Sequence, residues 1–282
     1  MELMLLLLLE SLVAAILAGS LCGYLGVYLK RLRLITLGFA VAHGAIAGAS
    51  IAFMLQINIE ITAFIAGIIV AFFIEILYKR FEIERDLASM YVFSISSALA
   101  IIAIYSSPTL LLTSDIATLI LWGSILSMTL DKIIFLAVIL IILILYTHAY
   151  RIDVNSLLFD QKLAEAEGVN TEYHAAILVL ISSASIAILL KFVGGLLLFS
   201  LIFGPAIAAT VISHKRQGLI GLLIGSVSCS IGVLISFYLD LPIGSTIALS
   251  SGIISAVISI LATLFEKRRI IRSIYRDNRE AK

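Results

Sequence analysis

An ionisable side chain held at bilayer depth costs at least about 2.5 kcal/mol, so a titratable residue inside a long apolar run marks possible chemistry. Few residues of this chain qualify. Glu10, His43 and Glu75 lie within apolar stretches, whereas Lys191 and Asp240 sit at the ends of theirs and can snorkel to the interface. Glu75 is expected to reach the interface beside Lys79. On a helix, His43 shares a face with Thr36, Phe39, Ala47 and Ser50. A neutral imidazole there could ligate a soft or borderline cation, relay a proton, or hydrogen-bond across helices. No carboxylate stands three or four positions away on either side, so this helix alone cannot make a metal site. Cys22 and Cys229 are isolated in apolar runs without a CxxC spacing and read as small buried hydrophobes.

The elements that position these residues follow from composition. Of 282 residues 62% are hydrophobic and only 13% charged, against roughly 25% charged in soluble domains. A water-soluble fold could not cover so much apolar surface, so the solvent must be bilayer hydrocarbon. The expected fold is all-α, a polytopic transmembrane bundle, and residues 1–282 form one membrane domain without a soluble module. The net charge of +1 averages an apolar body with basic loops and shows no nucleic-acid signature. No positive charge precedes the first apolar run, which is therefore read as a retained helix rather than a cleaved signal.

A helix rising about 1.5 Å per residue needs about 20 apolar residues to cross a core of about 30 Å. Spans are predicted at residues 3–29, 34–56, 59–78, 87–106, 131–148, 174–191, 193–213, 218–238 and 244–265, with 174–213 making either one or two crossings, for eight to nine in all. Residues 116–127 are too short to cross and read as a re-entrant or interfacial helix, with Pro108 and Asp115 in an external loop and Trp122 near a headgroup layer. With the N-terminus outside and the C-terminus cytoplasmic, every Lys and Arg except Lys132 and Lys191 falls on the inside, including a basic tail at 266–282. That asymmetry is the positive-inside pattern of a multi-pass plasma- or inner-membrane protein.

Ala40, Gly44 and Gly48 recur every four residues, which suits close packing within one chain. Pro205 deprives the Leu201 carbonyl of its helical partner, and with Gly194 and Gly195 it is expected to bend the later helices. The one long inside connection, residues 149–173, contains a short predicted helix at Gln161–Glu167, with Asp160 as N-cap and Gly168 at the left-handed C-terminal position. Such a helix could press on a soluble partner or simply connect two spans.

Four segments together resemble the integral permeases of ABC transporters that import zinc, manganese or iron(II), the zinc/manganese-type family. Lys30–Gly48, KRLRLITLGFAVAHGAIAG, is similar to a basic loop followed by Gly-Asp-x-x-x-His and a Gly. Phe159–Val169, FDQKLAEAEGV, resembles the family's coupling helix, Asp-x-x-x-Ala-x-x-x-Gly-Val. Lys191–Ala209, KFVGGLLLFSLIFGPAIAA, is similar to the Val-Gly…Pro-Ala-x-x-Ala stretch, and Asp240–Leu249, DLPIGSTIAL, to the Pro-x-Gly-x-x-x-x-Leu run.

The resemblance implies a homodimer around a central route, two cytoplasmic ATPase subunits, and an extracellular or periplasmic solute-binding protein. It implies that Asp160, Leu163, Ala164, Gly168 and Val169 couple to the ATPase and that Phe39, His43, Ala47 and Ser50 line the route. No permanently bound cofactor and no catalytic residue is expected, the divalent ion being cargo and ATP hydrolysis belonging to a partner chain. One departure is chemical: the family's helix 2 Asp falls on Phe39, which offers neither charge nor ligand. Asp240 or Glu10 could supply a carboxylate across helices, the route could carry a softer ion or a different ligand, or transport could be altered. A secondary transporter or channel would instead predict an internal repeat with paired broken helices, and an intramembrane enzyme a nucleophile paired with a base at depth. Neither pattern is found.

Overall fold

The computed structural model describes residues 2–106, 130–213 and 216–280. Among the described residues are eleven helices and no strand: α1 (Glu2–Arg31), α2 (Leu37–Leu55), α3 (Ile59–Phe81), α4 (Arg85–Tyr105), α5 (Leu130–Ala149), α6 (Arg151–Phe159), α7 (Gln161–Ala166), α8 (Thr171–Val193), α9 (Gly195–Ile212), α10 (Gln217–Leu239) and α11 (Ile243–Glu280). Eight are long and apolar enough to cross a membrane, while α9 is apolar but shorter. The expectations for residues 116–127, with Pro108, Asp115 and Trp122, lie outside the described residues.

Local chemistry ends the helices where it should. Asn58 caps α3 by accepting the Ile61 N–H at 3.0 Å, and Asn170 caps α8 by accepting that of Tyr173 at 3.1 Å. Gln56 and Asp240 close α2 and α10 in the left-handed conformation. α1 and α2 are the most enclosed helices, and α3, α5 and α11 leave most of their surface outside the chain. The outward residues include Ile69, Phe72 and Ile76, the surface that hydrocarbon requires.

The basic connections gather at one end. Lys30 donates to Thr210, Arg31 to Asn155 at 3.4 Å, and Lys79 pairs with Glu172 at 3.0 Å. From that end α8 departs at Thr171, and α9 returns to it at Thr210, so the chain goes out and back about a single residue. That residue is Gly194, at φ 81° and ψ 155°, a conformation that favours glycine. Pro205 lies inside α9, whose helical run continues through it; the break is at Gly194. Glu75, one turn before Lys79, is held by Arg85, because a guanidinium can satisfy both carboxylate oxygens in a buried place.

Two helix pairs depend on small residues. Gly44 and Gly48 of α2 lie against Val70 and Ala66 of α3, the intrachain packing expected of their spacing. α1 and α10 approach still more closely through Gly19, Gly23, Gly221 and Gly225. A Cβ on Gly23 would lie 2.1 Å from the Gly221 carbonyl oxygen, and backbone cannot rotate away. Alanine is the better helix former by about 1 kcal/mol, so Gly23→Ala sets propensity against sterics. We expect sterics to win, with a net loss of about 1–3 kcal/mol, measured as a lower unfolding midpoint in detergent. Gly252→Ala, where a Cβ meets nothing within 4 Å, serves as the control and should hold or raise the midpoint.

Candidate functional site

α2 is enclosed because it is built from small residues: Ala40, Ala42, Gly44, Ala45, Ala47, Gly48 and Ala49 are all buried. Within it His43 is half-buried, two turns from the basic end of the bundle. Its Nδ1 lies 3.0 Å from the Phe39 carbonyl oxygen. A carbonyl only accepts, so Nδ1 carries the proton, and when the ring is neutral its lone pair lies on Nε2. The ring edge meets Phe93 of α4, with centroids 4.5 Å apart and planes at 82°.

Around the start of this helix four phenyl rings assemble. Phe39 packs on Phe199 at 4.1 Å, on Phe203 at 5.6 Å and edge-on against Phe93 at 6.1 Å, and Phe199 stacks on Phe203. The cluster joins α2, α4 and α9, and Phe93 links it to the His43 ring. Ala47 and Ser50 continue the same helix face but are buried, and the Ser50 hydroxyl donates to the Ile46 carbonyl at 2.9 Å. Neither Asp240, exposed at the far end of α10, nor Glu10, half-buried near the start of α1, pairs with His43. Among the described residues no group of three or more His, Cys, Asp and Glu side chains could hold a metal ion. At this place the described residues offer one imidazole, its Nδ1 held by the Phe39 carbonyl, beside an aromatic cluster.

A second constellation stands at the basic end. The connection 149–173 contains more order than its sequence reading suggested. α6 fills Arg151–Phe159, and α7 runs Gln161–Ala166, one residue shorter than expected, with Glu167 at its C-cap. Asp160 is the N-cap as predicted, accepting the Leu163 N–H at 3.0 Å, and Gly168 takes φ 87°. Ala164 is buried and anchors α7. Leu163 is exposed, as is Phe159, which is 81% accessible one turn earlier. Val169 is half-buried, and its N–H returns to the Ala164 carbonyl at 3.0 Å. The result is a short braced helix with an outward apolar pair.

α7 is tied to α8 by the Thr171 hydroxyl, which donates to Glu165 at 2.5 Å, and the Gln161 amide donates to the same carboxylate oxygen at 3.0 Å. Chiefly the Thr171 bond, then the Gln161 bond, holds the Glu165 carboxyl below its ordinary value of 4.5. A depressed folded-state value means the tie contributes above the unfolded value and is lost as pH falls through the lower one. Hydrogen exchange in residues 161–171, corrected for the intrinsic rate, should therefore quicken on acidification through that range. In Thr171→Val this pH dependence should largely vanish.

Known proteins supply the context for this geometry. The model of the family described as the ABC 3 transport family matches residues 4–265. The chain belongs to the ABC 3 transport family. A relative in Haemophilus influenzae, named "Probable iron transport system membrane protein", is 25% identical over 241 residues, covering 85% of this chain and 84% of its own. The manganese import system permease protein ScaB of Streptococcus gordonii is 28% identical over 253 residues and 88% of each chain. Among solved structures, PsaBC from Streptococcus pneumoniae in complex with Fab aligns with a TM-score of 0.74 at 22% identity, over 89% of this chain and 90% of that one. That likeness shows the same fold. This ABC 3 family chain is thus a multi-pass membrane protein of a transport family.

The sequence predicts His43, Phe39, Ala47 and Ser50 on one helix and Gln161–Glu167, capped by Asp160, on another. The rings of Phe93, Phe199 and Phe203 escape that reading, because single phenylalanines in apolar spans carry no periodic signal. α6 did have a signal, since Val154, Leu157 and Leu158 repeat at helical spacing and are all buried.

Proposed function

We propose that the chain is the membrane-spanning permease of an ABC importer for a divalent metal ion, zinc, manganese or iron(II). The observation that carries the reading is the near full-length likeness to proteins named for iron transport and manganese import. In this reading two copies form the route, cytoplasmic ATPase subunits supply energy, and a solute-binding protein delivers the ion from outside. The chain itself performs no bond chemistry. It sits in the plasma or inner membrane with residues 1–282 as one domain, its N-terminus outside and its basic tail at 266–282 in the cytoplasm.

ATP binding closes the ATPases, and the segment Asp160–Val169 moves with them, Leu163 and Phe159 meeting the partner while Ala164 and the Gly168 turn hold the helix to the body. The membrane halves then exchange outward-open and inward-open states. His43 meets the ion through Nε2, and Phe39, Ala47 and Ser50 border the same route. Gly194 and Gly195 start α9 at the hinge, and Pro205 leaves the Leu201 carbonyl free to adjust.

The aromatic cluster supports a second reading of the cargo within the same transporter class. Phenyl faces and one imidazole suit a soft ion, or an ion already carrying its own ligands, better than a hard bare cation. Co-purification with the partner ATPase, reconstitution in liposomes and ATP hydrolysis with each ion and the delivery protein test both. Stimulation by Zn²⁺, Mn²⁺ or Fe²⁺ is the expected result. A response only to a chelated ion would favour the second reading, and no response to any of them would sink the metal assignment.

A further inference from the structure

Three membrane helices and the short α7 meet at the basic end through a continuous set of polar contacts. Gln161 of α7 donates to the Tyr78 hydroxyl at 3.1 Å, and the Tyr78 ring carries the Arg85 guanidinium on its face at 3.6 Å. Arg85 grips Glu75 with two bonds, Nε to Oε1 at 2.9 Å and Nη2 to Oε2 at 3.3 Å. The pair is almost enclosed, at 8% and 9% exposure, so water competes little for either partner. Ser89 in turn donates to the Arg85 carbonyl at 2.7 Å.

The next residue carries the connection across to α2. Asp86 accepts the Thr36 hydroxyl at 2.5 Å and the Thr36 N–H at 3.3 Å through the same Oδ1. Thr36 is the N-cap residue of α2, yet its hydroxyl caps nothing in its own helix. An N-cap threonine ordinarily satisfies a free N–H of its own first turn, so here that role has been exchanged for a grip on α4. The Thr36 carbonyl meanwhile takes the Phe39 and Ala40 N–H groups at 3.1 and 3.2 Å, and the Phe39 carbonyl takes His43 Nδ1. Each step from Gln161 to His43 is a directional contact or a covalent neighbour.

A buried ion pair is weak evidence for stability, because desolvation offsets most of the attraction. What a bidentate pair does supply is geometry, since two parallel bonds and a stacked ring fix both orientation and distance. The exposed Lys79–Glu172 pair nearby lacks that property and serves only as a loose tie.

We propose that Arg85 and Asp86 are positioning residues of a mechanical link, through which the place of α7 sets the place of the helix that carries His43. Glu75 and Tyr78 hold its α7 side and Thr36 its α2 side. The proposal rests on the reading of α7 as the segment that meets the ATPase.

The test uses the complex with its ATPase in proteoliposomes, with spin labels at Lys162 on α7 and Leu55 at the far end of α2, both exposed. In the unsubstituted link, label distances at both positions should change on ATP binding. In Asp86→Asn and in Thr36→Val, the change at 162 should persist while that at 55 shrinks, and ions moved per ATP should fall about tenfold, within the usual range of coupling between sites. Arg85→Lys keeps the charge but loses the fork and should fall likewise, whereas exchanging the pair, Glu75→Arg with Arg85→Glu, should recover part of the ratio. Thr36→Val alters the mildest contact and keeps the test open if the charged variants misassemble. An unaltered response at 55 and an unaltered ratio in Thr36→Val and Asp86→Asn would overturn the link alone. No response at 162 in the unsubstituted complex would instead overturn the assignment of α7, and the link with it.

Discussion

Replacing His43 with alanine is expected to weaken metal stimulation of ATP hydrolysis sharply in the reconstituted complex while leaving the basal rate in place. The reason is the scarcity of donors. Nδ1 is engaged by the Phe39 carbonyl, so Nε2 is the nitrogen available to an ion, and among the described residues no larger ligand group exists to take over. Losing it should weaken apparent metal affinity at least about a hundredfold, or about 2.8 kcal/mol. The loss should appear as a shift in the ion concentration needed for half-stimulation before any fall in the maximal rate. His43 is half-buried and its ring edge rests on Phe93, so the truncation also removes a contact; thermal unfolding of the purified chain separates that effect from the functional one. Equal stimulation in both proteins would remove His43 from the mechanism.

Phe39→Asp should produce the second large effect, with opposite signs in two assays. Without metal, the substitution removes the packing on Phe199 and Phe203 and leaves a carboxylate among phenyl rings. We expect a loss of at least about 2.5 kcal/mol, the minimum for an ionisable group at bilayer depth. With metal, a carboxylate and the His43 imidazole stand one helical turn apart, and an oxygen ligand suits a hard cation that one imidazole does not. Binding to the folded state then restores stability by mass action. The unfolding midpoint of the variant should therefore rise on addition of Mn²⁺, and its transport preference should move from Zn²⁺ towards Mn²⁺. A variant equally unstable with and without Mn²⁺ would show that residue 39 does not face the route.

These two positions show how far the one-dimensional reading reached. His43 was visible because a titratable group in an apolar run is costly, and Phe39 because the resemblance places a carboxylate there. What surrounds them was not visible. Phe93 and Phe199 lie far along the chain from Phe39, and nothing in an apolar span distinguishes a ring facing lipid from one facing a neighbour. Glu75 illustrates the same limit. Lys79 stands one turn along its helix, but the enclosed position favours the fork of Arg85, and Lys79 pairs with Glu172.

Local properties were therefore legible from the chain alone. A span is set by its own length and hydropathy against the thickness of hydrocarbon, a cap by one side chain and the N–H groups beside it, and the grouping of basic connections by the order of Lys and Arg along the chain. Hence the helices, the Asp160 cap, the Gly168 turn and the convergence of basic connections could all be anticipated. Only the tertiary structure decided which faces meet. Backbone contact between Gly19–Gly23 and Gly221–Gly225, the aromatic cluster beside His43, and the path from Gln161 to Thr36 all join residues distant in sequence. In a membrane, where apolar side chains gain little by leaving lipid for protein, close packing and buried polar pairs choose the partners, and both are properties of pairs of surfaces rather than of any single helix.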